Sequence, residues 1–378
     1  MIRKRKDRII KDLDSKIVFL TGPRQVGKTW LSHEIAKEFE NPVYLNYDSR
    51  IDREIIEKEA WLNKTDLLIF DEIHKMPNWK TYIKGVFDTK PKTLKILVTG
   101  SARLEYFRQT GESLSGRFFT HRLYPFTLGE LKVIGSSISI DHLINRSGFP
   151  EPLLAEDEDF AQRWRKQYVD GLVRDDVFDF EKFSDYKSLK FCLELLKSRV
   201  GSTISYASIA RDLGVSPNTV KKYIQVFEEL YIIFRLTPFT GNSAKKGSEI
   251  VRSILKEPKL YFFDTALVDG DEGIKFENLT ALALLKQAAA EEDLKGVSAS
   301  VHYVKTKDGK EVDFCYVCDG KPQYLLETKL SDSNISKALY YFYIKYNIRS
   351  IQLVKNLKRE RQEGVEVLAA ENWLSGLE

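Results

Sequence analysis

The chain is 378 residues long, with 43% hydrophobic, 12% aromatic and 30% charged residues; this excludes a disordered or membrane class and, at about 150 residues per domain, asks for two or three cores. Three cysteines, Cys192, Cys315 and Cys318, exclude a disulfide framework, and with no apolar run of signal-peptide or membrane-helix length the expectation is a cytoplasmic protein with no membrane partner. A net charge of +4 leaves nucleic acid open, so any basic surface must be found locally.

The opening Met1-Ile-Arg-Lys-Arg-Lys-Asp-Arg reads as the solvated face of a first helix. Short β-rich runs then alternate with helical stretches at 16–20, 43–47, 67–70, 95–99 and 118–123, the rhythm of an α/β parallel sheet with crossover helices. Ile17-Val-Phe-Leu20 and Leu67-Leu-Ile-Phe70 are apolar throughout, as strands covered on both faces must be. They are the expected central strands. Residues 134–195 turn helical and carry no visible chemistry.

From Ser205 the pattern is helix, turn, helix. Gly214 ends the first helix, Ser216 caps the second, and Pro217 takes the first helical position, where its missing N–H costs nothing. Tyr231-Ile-Ile-Phe-Arg-Leu and Lys259-Leu-Tyr-Phe-Phe supply the strands of a wing. A helix over 276–290, strands at 301–305, 311–317 and 323–329, a helix over 335–346 and a strand at 350–354 form a last unit. The expected organisation is 1–135, an α/β parallel-sheet domain; 136–195, a helical connection; 196–270, an α+β winged helix; and 271–378, a second α/β domain.

Gly22-Pro-Arg-Gln-Val-Gly-Lys-Thr29 fits GxxxxGK followed by Thr, between an apolar strand and a helix. Gly22, Pro23, Arg24, Gln25, Val26 and Gly27 wrap backbone N–H groups around the phosphates of ATP, Lys28 reaches the β- and γ-phosphates, and the Thr29 hydroxyl faces Mg²⁺. Asp71, at the end of its apolar strand, holds the metal shell, and Glu72 is placed to orient or deprotonate the attacking water. Thr99 or Ser101, after another apolar strand, is placed to sense the γ-phosphate or simply to turn the chain. Arg103 and Arg117 are candidates to neutralise transition-state charge in their own site or in a neighbour's.

These segments, with Asp71-Glu-Ile-His-Lys, Thr99-Gly-Ser-Ala-Arg, Ser113-Leu-Ser-Gly-Arg and Leu123-Tyr-Pro-Phe-Thr-Leu-Gly-Glu-Leu, resemble the AAA-type prokaryotic ATPases that carry a C-terminal domain of unknown function. The resemblance spans almost the whole chain. It implies an AAA+-like ATPase with a winged helix, and it strengthens Arg117, which falls in the Ser-Leu-Ser-Gly-Arg stretch. It leaves the biological role open.

Between 197 and 259 stand eleven Lys and Arg, against five Asp and Glu. Asn218, Lys221 and Lys222, near the start of the second helix, suit DNA phosphates or base edges, and a winged helix used for packing is the alternative. In the last unit Glu327 and Lys329 share a strand face, and Asp313 on a paired strand and Glu277 on the preceding helix can join them around one Mg²⁺. The element order resembles the PD-(D/E)xK nuclease superfamily. That resemblance implies Asp313, Glu327 and Lys329 as its motif and Glu277 as its helical acid. Cys315 and Cys318 face opposite sides of a strand and lack a second ligand pair, so neither zinc nor redox work is expected of them.

The sequence therefore points to Mg-dependent ATP hydrolysis at Lys28, Thr29, Asp71 and Glu72, coupled to DNA binding or processing, with a homo-oligomer compatible. The alternative is an ATP-switched DNA- or protein-binding regulator whose nuclease-like fold is inert. A P-loop kinase is disfavoured by Glu72, which suits water activation.

Overall fold

The computed structural model describes residues 3, 5–100, 114–176, 186–240, 257–331 and 334–378, without the side chains of 175 and 176. The chain divides into two compact units, Met1–Tyr124 and Pro125–Glu378. Residues 125–135, grouped above with the P-loop segment, fall in the second unit, together with the three segments that follow.

In the first unit, strands β1 (Ile17–Thr21), β2 (Pro42–Asn46), β3 (Leu67–Asp71), β4 (Lys95–Thr99) and β5 (Phe118–Arg122) form one sheet in the order β2-β3-β4-β1-β5, with every pairing parallel. Helix α1 (Lys6–Leu13) precedes the sheet, and α2 (Lys28–Ala36), α3 (Arg50–Lys58) and α4 (Trp79–Thr89) are crossovers such a sheet requires. All five residues of β1 and of β3 are buried, which is why they read as unbroken apolar runs. Ile17 and Phe19 pack in one core with Ile56 of α3 and with Ile83 and Val86 of α4. Because side chains alternate, Val18 and Leu20 fill the opposite face.

The insertion of β4 between β1 and β3 positions the site. It aligns Leu20 with Thr99 and Thr99 with Asp71, so the ends of three strands open at one edge of the sheet. The expectation of a solvated basic N-terminus is corrected here. Arg3 and Arg5 are only 2% and 4% exposed; Arg3 donates to the carbonyls of Val26 and Tyr124, and Arg5 to that of Arg122. Backbone carbonyls on the loop and on the end of β5 make burial of these guanidinium groups affordable.

The second unit begins with helices α5 (Leu128–Val133), α6 (Ile140–Arg146), α7 (Pro150–Leu153), α8 (Glu158–Gly171) and α9 (Tyr186–Lys197). Helices α10 (Tyr206–Leu213) and α11 (Pro217–Glu229) follow as the expected helix, turn, helix. Gly214 ends α10 in the left-handed conformation. The Ser216 side chain accepts from the Thr219 N–H, with Pro217 in the first turn. Strands β6 (Ile233–Leu236) and β7 (Lys259–Phe262) pair antiparallel, and Thr203 bridges to Lys259.

Helix α12 (Glu272–Lys295) leads into strands β8 (Ala299–Lys305), β9 (Glu311–Cys318) and β10 (Lys321–Ser331), helix α13 (Lys337–Tyr346), strands β11 (Ser350–Asn356), β12 (Arg361–Glu363) and β13 (Val365–Ala369), and helix α14 (Ala370–Ser375). The six strands form a mixed sheet ordered β12-β13-β11-β10-β9-β8. Cys315 is fully buried and Cys318 partly exposed, both free thiols, as alternation on β9 demands. No helix among the described residues is long and apolar enough to cross a membrane.

Candidate nucleotide site and acidic cluster

The turn after β1 is built for anions. Gly22 has φ 138° and Gly27 φ 96°, and Gln25 between them is also left-handed at φ 57°. Successive N–H groups can then converge on one point, a geometry that excludes most side chains. Gly22 is fixed for a second reason: a Cβ there would lie 2.1 Å from the Leu123 carbonyl oxygen at the end of β5. Helix α2 starts directly at Lys28, adding the positive end of its dipole. The buried Lys28 ammonium donates to the carbonyls of Gly22 at 2.9 Å and Pro23 at 2.5 Å. Burial pushes its pKa down to about 8, opposed by the nearby Glu72 and Asp71 carboxylates.

Asp71 is held from three sides. Thr99 donates to Oδ1 at 2.6 Å, the Tyr44 hydroxyl donates to Oδ2, and the Thr29 hydroxyl lies 3.5 Å from the same Oδ2. Thr29 and Asp71 thus stand together as an all-oxygen pair, the donor set Mg²⁺ prefers. The fully buried Thr99 spends its hydroxyl on Asp71, which answers the question between phosphate sensing and a simple turn: it orients the carboxylate. Ser101 and Arg103 lie outside the described residues.

Glu72 has φ 55°, and its N–H donates to the Thr99 carbonyl. A left-handed glutamate is strained, and such strain collects at functional sites. The turn aims the carboxylate back at the loop, with Oε2 3.5 Å from Nε2 of the buried His74 and 3.8 Å from the Lys75 ammonium. Burial first, then the Asp71 charge, raises its pKa, while Lys75, Lys28 and Arg24 pull it down.

Arg117 is placed elsewhere. It precedes β5 at the sheet edge opposite the phosphate loop, where its carbonyl accepts from the Ile17 N–H, and its guanidinium grips Asp88 at 2.8 and 3.2 Å. At 3.3 Å per residue the length of β1 sets it roughly 15 Å from the loop. The expectation that it serves its own site is therefore corrected; only a neighbouring copy's site stays open to it. Sequence reasoning missed Tyr44 and Arg3 because one aromatic and one basic residue carry no motif; only strand order reveals them.

The second unit assembles the expected acids around an unexpected cation. Lys329 donates to Glu327 Oε1 at 2.8 Å, so the two do share a face. Asp313 Oδ2 accepts from the Thr328 N–H at 3.0 Å and its hydroxyl at 2.9 Å. Glu277 Oε1 accepts from the Tyr261 hydroxyl at 2.7 Å. The Lys259 ammonium, on a residue 2% exposed, stands 2.7 Å from Glu311, 3.7 Å from Glu277 and 3.9 Å from Asp313. Among the described residues no group of three or more His, Cys, Asp or Glu is arranged to hold a metal ion. Asp313 stands near both Glu277 and Glu327, whose pKa values are raised by burial first and then by its charge, and Lys259, from β7, enters the same cluster. That lysine was legible only as part of a β-rich run.

Comparisons with known proteins give two family matches, the first of which runs past the boundary between the units. Residues 14–132 match a family described as an AAA domain, and residues 138–274 match a domain of unknown function, DUF8612. An uncharacterized protein of Mycobacterium tuberculosis is 25% identical over 336 residues, covering 85% of this chain and 72% of its own. One from Methanocaldococcus jannaschii is 25% identical over 360 residues, covering 86% and 77%. Among solved structures, the Walker-type ATPase of Pyrococcus abyssi has a TM-score of 0.43 at 13% identity, covering 70% of this chain and 94% of its own. The RuvB Holliday junction branch migration motor of Thermotoga maritima has a TM-score of 0.33 at 18% identity, covering 61% and 87%. At these scores neither structure fixes a shared whole-chain architecture or an activity. The first unit is a parallel α/β sheet with the phosphate-loop sequence directly after β1.

Proposed function

We propose that the first unit binds ATP with Mg²⁺ and hydrolyses it. The observation that carries this reading is the grouping of Lys28, Thr29, Asp71 and Glu72 at one sheet edge, with Asp71 oriented by Thr99 and Tyr44. Phosphate entering the loop replaces the Gly22 and Pro23 carbonyls as the partner of the Lys28 ammonium. Thr29 and Asp71 would hold Mg²⁺, which supplies charge neutralisation on the phosphate oxygens when bound. Glu72 orients a water toward the γ-phosphate and accepts its proton, a role for which a carboxylate of raised pKa is suited. Lys28→Ala removes the principal phosphate cation, and titration calorimetry with ATP and Mg²⁺ should find binding weakened at least about a hundredfold. Wild-type affinity in that variant removes the loop from the proposal.

The reading extends to DNA through α10 and α11. Lys221 and Lys222 are exposed on α11, and the Lys221 ammonium lies over the Tyr206 ring of α10 at 5.6 Å from its centroid, a partly ordered cation where a duplex phosphate can be met. Lys245, Lys246, Arg252 and Lys256 of the same basic stretch lie outside the described residues. Changing Lys221 and Lys222 together to Ala should weaken duplex binding and lower the slope of log K against log salt by about two. An unchanged slope in a folded variant assigns the segment to packing or protein contact, in line with the regulator alternative.

A further inference from the structure

Each carboxylate of the acidic cluster in the second unit has at least one oxygen facing a donor or cation of the chain itself, while the second oxygen of Glu327 is buried without a hydrogen-bond partner. Glu311 takes Lys259 at Oε1 and Lys305 at Oε2, both at 2.7 Å. Glu277 takes the Tyr261 hydroxyl, Asp313 takes the Thr328 N–H and hydroxyl, and Lys259 lies within 4 Å of both acids. The nearby Glu327 is paired with Lys329. A divalent ion bound by carboxylates needs an excess of uncompensated negative charge and oxygen atoms free to turn toward it. Here four acids face three lysines, so the excess is a single charge.

Space is closed as well. The Lys259 side chain is sealed beneath Tyr303, its ammonium 5.6 Å from the ring centroid. On the far side of Glu277 stands Gly201, with φ 72°, where even a Cβ would come within 3.0 Å of the carboxylate. Lys259 is anchored on both backbone edges, paired with Leu236 in β6 and bridged to Thr203. Its main chain is therefore fixed, and the side chain starts from a set position beneath Tyr303.

We propose that Lys259 is the resident cation of this cluster: its ammonium takes the place that a divalent metal ion would occupy between Glu277 and Asp313, so the native site binds no such metal. The consequence is a change of role. The cluster is an ionic joint that fastens β7, and with it the helix, turn, helix segment, to α12 and β9, and metal-dependent phosphodiester cleavage has no centre here. The resemblance to metal-dependent nucleases then extends to acid positions and strand order, while the cation has been supplied by the protein.

The test is Mn²⁺ binding to the nucleotide-free full chain, followed by the loss of the free-ion electron paramagnetic resonance signal. Wild type and Asp313→Asn should bind Mn²⁺ identically. Lys259→Met should gain one ion, held at least about a hundredfold more tightly than any weak binding by the wild type, since the like charge that fills its place has been removed. Adding Asp313→Asn to Lys259→Met should abolish the gain. An Asp313-dependent Mn²⁺ in the wild type overturns the proposal, as does a Lys259→Met chain that folds, by circular dichroism and gel filtration, and gains none. Should Lys259→Met fail to fold, wild type against Asp313→Asn decides the matter alone, since any difference between them places a metal beside Lys259.

Discussion

Glu72→Gln should bind ATP with wild-type affinity and turn it over at least about a hundredfold more slowly, the cost of losing a general base that catalysis at this position requires. The substitution keeps the shape and the left-handed turn at residue 72 and removes only the ability to take a proton. It leaves untouched the Lys28 ammonium and loop N–H groups proposed for the phosphates and the Thr29–Asp71 pair proposed for Mg²⁺. Calorimetry for affinity and a coupled phosphate assay for rate separate the two quantities. Loss of binding would instead place Glu72 among the groups that support the loop.

The largest effect on stability is expected at a distance from the chemistry. Lys286, on the apolar helix α12, is 3% exposed and meets Glu130 of α5 at 2.5 Å, with the Pro125 carbonyl at 3.2 Å as a second acceptor. Glu130 is also 3% exposed. Lys286→Met removes the ammonium paired with that buried carboxylate, which costs about 3–5 kcal/mol, whereas Lys286→Met combined with Glu130→Leu removes both charges and recovers most of the loss. Urea denaturation of the two variants checks this. Equal destabilisation by the single and the double change would show that the pair contributes packing alone.

The sequence carried the parallel sheet and the phosphate loop well, for a physical reason. A strand covered on both faces is apolar along its run, as Ile17 to Leu20 and Leu67 to Phe70 are, and Gly22 has no substitute because an added Cβ would lie 2.1 Å from a carbonyl oxygen. What stayed hidden depends on strand order and on the third dimension. Arg117 sits in a motif-bearing stretch, yet only the pairing of β1 with β5 shows that it lies at the wrong edge for its own nucleotide site. Arg3 and Lys259 read as solvated charges because basic residues usually are; each is buried against acceptors supplied by elements distant in sequence. Strands β12 and β13 were not read at all. The former has three residues, too few to display a period.

The expected role of Thr99 changed for the same reason. Its register beside Asp71 cannot be inferred from Lys95-Ile-Leu-Val-Thr99 alone, and it turns the Thr99 hydroxyl onto the Asp71 carboxylate. The acids of the second unit were found individually, at Glu277, Asp313, Glu327 and the paired Lys329. Their common partner was not, since Lys259 enters from a strand that the sequence assigned to a different segment.

The claim that the first unit is an ATP hydrolase is met most directly by a single-turnover measurement: purified full-length chain in excess over radiolabelled ATP, with Mg²⁺, followed for conversion to ADP and phosphate. The account predicts conversion by the wild type, none once the metal is removed by a chelator, and retention of intact bound ATP by Glu72→Gln. Conversion by Glu72→Gln at the wild-type rate, or bound ATP that the wild type never cleaves, would contradict it.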